Sequence, residues 1–281
     1  MLVETPRLYK NRRMTSRLAT ILALLIALAI FPRCGFAADA ALTEAVSSPS
    51  RPADETVRDK YRHPIETLTF FGIKPDMTVV EIWPGTGWYT DILAPYLRDQ
   101  GKLYAATNKS ENAEEYRKKL AADPTRFGKV TVTELDPPDH MDIAPPGSAD
   151  LVVTFRNVHN WMRGGNAEAV FKAIYTALKP GGVLGLVEHR GDPSKPQDPK
   201  AESGYVRQDY VIKLAEEAGF MLTGKSEINA NPADTRDYPK GVWTLPPTLR
   251  MGAADKEKYL AIGESDRMTL KFLKPRQTTR R

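Results

Sequence analysis

The sequence predicts an α/β fold: a mostly parallel sheet of seven strands flanked by helices on both faces, with a flanking helix before the first strand and an insertion before the last. Three observations carry this reading. Short apolar runs alternate with amphipathic segments between residues 78 and 228, the rhythm of right-handed β-α-β crossovers. The run Val79-Val80-Glu81-Ile82-Trp83-Pro84 delivers an acid and then Gly85-Thr86-Gly87 into a helical stripe of Tyr89, Ile92, Leu93, Tyr96 and Leu97, so a buried strand, a glycine turn and a helix follow one another. Met268, Leu270 and Phe272 then alternate as a terminal strand,.

At the N-terminus, Arg7, Lys10, Arg12, Arg13 and Arg17 precede an uncharged apolar stretch from Leu18 to Phe31. That stretch is shorter than the roughly 20 residues that cross a bilayer, and Gly35-Phe36-Ala37 or Ala38-Asp39-Ala40 offers small residues for cleavage,. Residues 1–38 therefore read as an export signal peptide, with a bacterial periplasmic destination and membrane contact only through an uncleaved leader. Arg33 before Cys34 makes a poor lipoprotein site. The leader carries the charge excess, because residues 39–281 hold 34 basic and 34 acidic side chains. The remaining chain is formally neutral and shows no basic stripe, which argues against a nucleic-acid partner. It has no cysteine, which excludes disulfides, thiolate metal sites and a cysteine nucleophile.

About 240 residues beyond the leader suit one α/β domain with additions rather than two cores. Residues 39–56 read as a solvated, flexible arm, since Ser47-Ser48-Pro49-Ser50-Arg51-Pro52 has little apolar surface,. The domain proper runs over 57–275, and 276–281 is a tail. Val57, Tyr61, Ile65, Leu68 and Phe71 form a helical stripe interrupted at Pro64, where a second short helix starts,. Strands follow near 78–83, 102–107, 129–135, 149–155, 182–188 and 220–228, with helices near 88–97, 110–122, 166–178 and 205–218. Residues 229–264 are a Pro-, Gly- and Asp-rich insertion long enough to be a functional loop,.

Chemistry concentrates at the strand ends, where open α/β sheets bind ligands. Gly85 and Gly87 let backbone N–H groups approach a ligand at the positive end of a helix, and Glu81 is placed to accept hydrogen bonds from it. Arg156, Asn157, His159, Asn160 and Trp161 form the densest polar-aromatic cluster, after the fourth strand. His159 is the candidate catalytic base, since imidazole exchanges protons near neutrality; Trp161 is the candidate flat wall, and Arg156, Asn157 and Asn160 candidate substrate contacts. Trp243, in the insertion, is placed as a cover. Glu188 and His189 end the next strand near His159, but neighbouring strand residues point to opposite faces, so no metal site is expected there and a salt bridge is preferred. Tyr61 and His63 either close over the pocket or pack.

Val80-Glu81-Ile82-Trp83-Pro84-Gly85-Thr86-Gly87, Asp150-Leu151-Val152-Val153 and Leu178-Lys179-Pro180-Gly181-Gly182, in this order of elements, resemble a class I S-adenosylmethionine-dependent methyltransferase with a Rossmann-like sheet. Tyr61-Arg62-His63-Pro64, Phe155-Arg156-Asn157-Val158-His159-Asn160-Trp161 and Gly241-Val242-Trp243-Thr244-Leu245-Pro246 are similar to exported bacterial proteins described as predicted methyltransferases. The resemblance implies S-adenosylmethionine as cofactor, with Glu81, Gly85, Thr86 and Gly87 at its methionine part, Thr107 at the ribose position and Asp136 near the adenine. A small-molecule acceptor is expected, because neither a basic stripe nor a recognisable peptide or nucleic-acid module follows the leader. Two departures stand out: Trp83 replaces the first loop glycine, and Thr107-Asn108 replace the acid that holds the ribose. These leave open an alternative, an exported non-catalytic or differently liganded binding protein on the same scaffold. A dinucleotide oxidoreductase is disfavoured because Thr90 stands where a third glycine belongs.

Overall fold

The computed structural model describes Met1 and residues 39–276; the expected signal peptide lies outside the described residues except at its first residue, as does the tail beyond Arg276. In chain order the elements are α1 (Ala40–Ser47), α2 (Ala53–Thr56), α3 (Asp59–Arg62), α4 (Pro64–Phe71), β1 (Thr78–Ile82), α5 (Thr90–Leu97), β2 (Lys102–Thr107), α6 (Glu111–Ala122) and α7 (Pro124–Phe127). There follow β3 (Val130–Glu134), β4 (Ala149–Phe155), α8 (Val158–Arg163), α9 (Ala167–Ala177), β5 (Leu178–His189), α10 (Gln208–Glu217), β6 (Met221–Ser226), a 3-10 turn (Gly241–Thr244), α11 (Lys256–Ile262) and β7 (Arg267–Leu273).

The seven strands form one sheet in the order β3-β2-β1-β4-β5-β7-β6. β7 is antiparallel to β5 and β6, and the other pairings are parallel. β1 and β4 lie centrally with Val79 opposite Leu151 and Val80 opposite Val152. Both faces of these strands are covered, so apolar residues run along them without alternation. Val80, Ile82 and Val152 pack with Val170, Phe171 and Ile174 of α9 on one face, and Val79, Leu151 and Val153 pack with Ile92 and Leu93 of α5 on the other. The order switches direction between β1 and β4, which opens a crevice at their carboxyl ends.

Local chemistry sets the ends of the elements. Ser110 caps α6 by accepting from the Ala113 N–H at 3.3 Å,. Pro64 starts α4 and Gly72, at φ 85°, ends it,. α4 then lies across the sheet so closely that a Cβ on Gly185 would stand 2.4 Å from the Phe71 ring. Gly185→Ala is expected to destabilise the fold by about 1–3 kcal/mol through this overpacking, read as a lower urea midpoint. Phe71→Leu should recover part of the loss by vacating the ring.

Residues 39–56 are not a solvated arm. Leu42, Ala45 and Val46 are buried on one side of α1, against Leu68 and Phe71 of α4 and Leu93 of α5. Arg51 is buried, donating to the Val46 carbonyl at 2.7 Å and to Asp59 at 2.8 Å. Three apolar positions at i, i+3 and i+4 are too few to fold alone but complete an existing layer. Val57, expected in the buried stripe, is instead 63% exposed in the turn between α2 and α3. No helix among the described residues is long and apolar enough to cross a membrane.

The insertion between β6 and β7 is tied down by buried acids. Asp266 receives Arg190 at 2.8 and 3.0 Å and Arg236 at 2.5 Å, while Asp234 accepts the Tyr205 hydroxyl at 3.0 Å. The 3-10 turn itself is held by the Val242 N–H, which donates to the Ser203 carbonyl at 2.9 Å, and Trp243 stands edge-on to His159.

Candidate functional site

Two bulky residues leave the central strands in left-handed backbone conformations, Trp83 after β1 at φ 45° and Arg156 after β4 at φ 63°. Such strain in non-glycine residues persists only where surrounding structure enforces it, and it gathers at sites of function. Here the enforcing residue is Asn157, whose amide donates to the Ile82 carbonyl at 2.9 Å and to the Thr154 hydroxyl at 3.2 Å. It laces the end of β1 to the end of β4. The Trp83 indole donates to the Leu135 carbonyl at 2.8 Å.

Two cavities meet at this place. One, about 310 Å³, runs from Trp83-Pro84-Gly85 towards Arg62, Arg156, His159, His189 and Trp243. The other, about 340 Å³, runs from the same loop towards Thr107, Asn108 and Ser110. Trp83, Pro84, Gly85, Asn112, Asn157 and Asn160 line both.

Glu81 lines the first cavity, 1% exposed. One carboxylate oxygen accepts from Thr90 at 2.6 Å, and the Thr90 hydroxyl lies 3.1 Å from that of Tyr116. Burial pushes the Glu81 carboxyl up to about 7, with Asp91 adding to the rise and Thr90 opposing it. Gly85, at φ 63°, lies in both cavity walls, and a Cβ there would meet nothing within 4 Å. The backbone is therefore bare towards the space where a ligand would lie. Gly87, at φ 92°, serves packing instead, since a Cβ would stand 3.0 Å from Tyr116. Thr86 is placed outside both cavities, its carbonyl accepting from Lys119. Thr107 lines the second cavity while receiving Arg117 at 2.9 Å. Asp136 lies outside both cavities, paired through its backbone with His140 and 3.5 Å from Lys109.

Of the predicted acceptor contacts, Arg156, Asn157, His159, Asn160 and Trp243 all line the first cavity. Trp161 does not. Residues 158–163 form a helix, and positions two apart on a helix point about 200° away from each other. His159 therefore faces the cavity while Trp161, 1% exposed, is core, edge-on to Trp83 and Phe171. Trp243 is flanked by Arg163 at 5.0 Å and Arg250 at 4.7 Å and stands edge-on to His159,. Tyr61 packs against Gly263, and His63 lies 3.4 Å from Asn229; neither lines the cavity.

Strand alternation separates Glu188 from His189, yet His159, Glu188 and His189 converge, each offering a ligand atom within 4.8 Å of the others. Both residues are still paired in β5, opposite Met268 and Arg267, but the Glu188 carboxylate curls back to the N–H of its own neighbour. Its oxygens accept from the His159 ring at 3.0 Å, the His159 N–H at 3.2 Å and the His189 N–H at 2.8 Å. Both oxygens are thus committed to orienting His159, and its Nδ1 contact leaves Nε2 as the nitrogen available to the cavity. His189 Nδ1 is 2.6 Å from the Ser265 hydroxyl. Burial, with His159, Arg156, Arg267 and Arg62 nearby, pushes His189 well below the usual imidazole range, so it is neutral.

Sequence reasoning missed Arg62, Glu264 and Ser265, which line the same cavity. The available signal was the run Glu264-Ser265-Asp266-Arg267, four polar residues entering an apolar strand; all four are buried.

The sequence profile of a family described as "Methyltransferase domain" matches residues 80–184. No curated protein sequence matches the chain. Among solved structures, a SAM-dependent methyltransferase from Aquifex aeolicus is 16% identical with a TM-score of 0.53, over 77% of this chain and 92% of that one. Phosphoethanolamine N-methyltransferase 2 from Haemonchus contortus, in complex with S-adenosyl-L-methionine, is 17% identical with a TM-score of 0.54, over 77% of this chain and 53% of that one. The [4+2]-cyclase SpnF is equally similar, at 17% identity and a TM-score of 0.54, over 80% of this chain and 82% of that one. The fold alone therefore does not fix the reaction. Residues 80–184 thus carry a methyltransferase-domain segment, and the chain as a whole shares the fold of S-adenosylmethionine-dependent methyltransferases.

Proposed function

We propose that the protein transfers a methyl group from S-adenosylmethionine to a small-molecule acceptor held in the cavity beneath Trp243. The observation that carries this reading is the pair of cavities joined at Trp83-Pro84-Gly85, one sized and lined for an adenosine portion and the other open to an acceptor. The residues present fit the cofactor: the bare backbone at Gly85 makes a cradle, Glu81 supplies a buried carboxylate for an ammonium, and Thr107, Asn108 and Ser110 supply hydroxyls and an amide in place of a ribose-binding acid.

When bound, the sulfonium supplies an already activated methyl carbon, so the chain's work is alignment and exclusion of water. Asn112 and Asn160, shared by both cavities, sit where acceptor and cofactor would meet. Trp243 and the insertion close the outer wall. His159, oriented by Glu188, is the group that takes a proton from an acceptor hydroxyl or amine at Nε2,. Calorimetric titration of the full chain with S-adenosylmethionine and S-adenosylhomocysteine is expected to show binding in the micromolar range. A folded chain that binds neither overturns the reading.

Export is part of the same proposal, supported by the basic and then apolar pattern of residues 7–31,. N-terminal sequencing of the protein from a bacterial periplasmic fraction should find a new terminus between Ala37 and Ala40; an intact Met1 terminus in the cytoplasm refutes it.

A further inference from the structure

An excess of positive charge gathers at and behind the wall of the acceptor cavity that Arg62, Arg156 and Glu264 line. Glu264 accepts from Arg58 at 2.7 Å, from Arg267 at 2.9 Å and from Arg62 at 3.4 Å. Arg156 reaches the same group electrostatically. Four guanidiniums thus share one carboxylate. The next acids do not offset them: Glu188 is committed to His159, and Asp266 to Arg190 and Arg236. Glu81 lies across the same cavity with its carboxyl raised towards neutrality, so it is only part ionised. Buried cations without partners are costly, and each unsatisfied donor in a native structure calls for an explanation.

The unpaired donors are specific. Arg62 is 2% exposed, its guanidinium over the Trp88 ring at 4.6 Å, and its Nη2 is buried without a hydrogen-bond partner among the described residues. Arg156 makes no side-chain hydrogen bond or ion pair among the described residues, although its backbone is held in a strained conformation that presents it to the cavity. Burial, and after it each other's charge, pushes Arg62 well below the ordinary arginine range. Neutral His189 and the Ser265 hydroxyl add polar groups beside them. Beside Arg62 and Arg156, away from Glu81, an oxyanion is the group that complements the charge, and it would accept from guanidinium N–H groups that have no partner in the protein. Two forked guanidiniums are the side chains that receive such a group through paired hydrogen bonds.

We propose that the acceptor carries an oxyanion, a carboxylate or a phosphate, which Arg156 and Arg62 receive at this wall of the cavity while the rest of the molecule extends towards the Trp83-Pro84-Gly85 loop. The proposal rests on the methyltransferase reading only for the word acceptor; the anion site stands on its own geometry.

The test is thermal melting and calorimetry of the full chain with inorganic phosphate and, separately, succinate, each against chloride at equal ionic strength. A rise in melting temperature with either anion is expected, and which anion binds more tightly assigns the group. Arg156→Gln should weaken that affinity about tenfold or more, and Arg156→Lys, which keeps the charge without the fork, should fall between. The unliganded melting temperature of each variant in chloride shows that it is folded. No anion response beyond chloride in the unsubstituted protein, or an equal response in Arg156→Gln, overturns the proposal. Titration of the unsubstituted protein with S-adenosylhomocysteine reports separately on the cofactor site: if that fails while the anion response holds, the methyltransferase reading falls and the oxyanion site remains.

Discussion

Replacing Glu264 with Gln is expected to destabilise the protein by about 3–5 kcal/mol at neutral pH, because it leaves three buried or part-buried guanidiniums without their shared counter-ion,. Burial by itself would raise the Glu264 carboxyl, but Arg267, Arg62, Arg156 and Arg58 outweigh it and hold it down at about 2. A carboxylate whose folded value lies below its unfolded one stabilises the fold above the unfolded value, near 4.3. That contribution, about 3 kcal/mol, disappears as pH falls from there towards 2. Urea unfolding should therefore show a gap between parent and variant that is wide at pH 7 and narrows in acid. A loss under about 1 kcal/mol at pH 7, the size of an exposed ion pair, would mean that the cluster is solvated. Phosphate should restore part of the variant's stability if the cavity receives an oxyanion.

This cluster also marks where sequence reasoning stops. β1, the Gly85 turn and α5 were legible because strand period and turn chemistry are local properties of a dozen residues. Glu81 was legible for the same reason, as a carboxylate at the end of an apolar strand. Arg62 and Glu264 lie 202 residues apart, and only the packing of α3 against the start of β7 brings them together. Trp161 was misplaced through a local error: with residues 156–161 read as one cluster, neighbours in sequence were taken as neighbours in space, whereas helical geometry sends His159 and Trp161 to opposite sides,. Glu188 and His189 failed in the other direction, since alternation fixes the face from which each side chain leaves β5, while the Glu188 carboxylate still curls to the His189 N–H and the ligand atoms converge. The α1 segment was lost because its three apolar residues gain their stability from a layer supplied by α4 and α5.

Glu81 should show the opposite pH behaviour to Glu264 in the same cavity, and a larger effect on binding. Its carboxyl, pushed up by burial to about 7, lies above its unfolded value. It therefore costs the unliganded fold stability as pH rises from about 4.3 through 7, by up to about 4 kcal/mol. Glu81→Gln removes that cost, so the variant should become progressively more stable than its parent across this window and match it in acid. Binding runs the other way. The ammonium on the methionine part of S-adenosylmethionine needs the ionised carboxylate, so affinity of the unsubstituted protein should rise with pH through about 7. Binding below that pH should release a proton, read as a dependence of the calorimetric heat on the buffer's ionisation enthalpy. Glu81→Gln should weaken binding at least about 30-fold at pH 8, the cost of removing one partner of a buried charge pair. A variant that gains stability and loses affinity together would show that Glu81 is held at a structural cost for the ligand's sake; one that binds as tightly as the parent would remove Glu81 from the cofactor site whatever its effect on the fold.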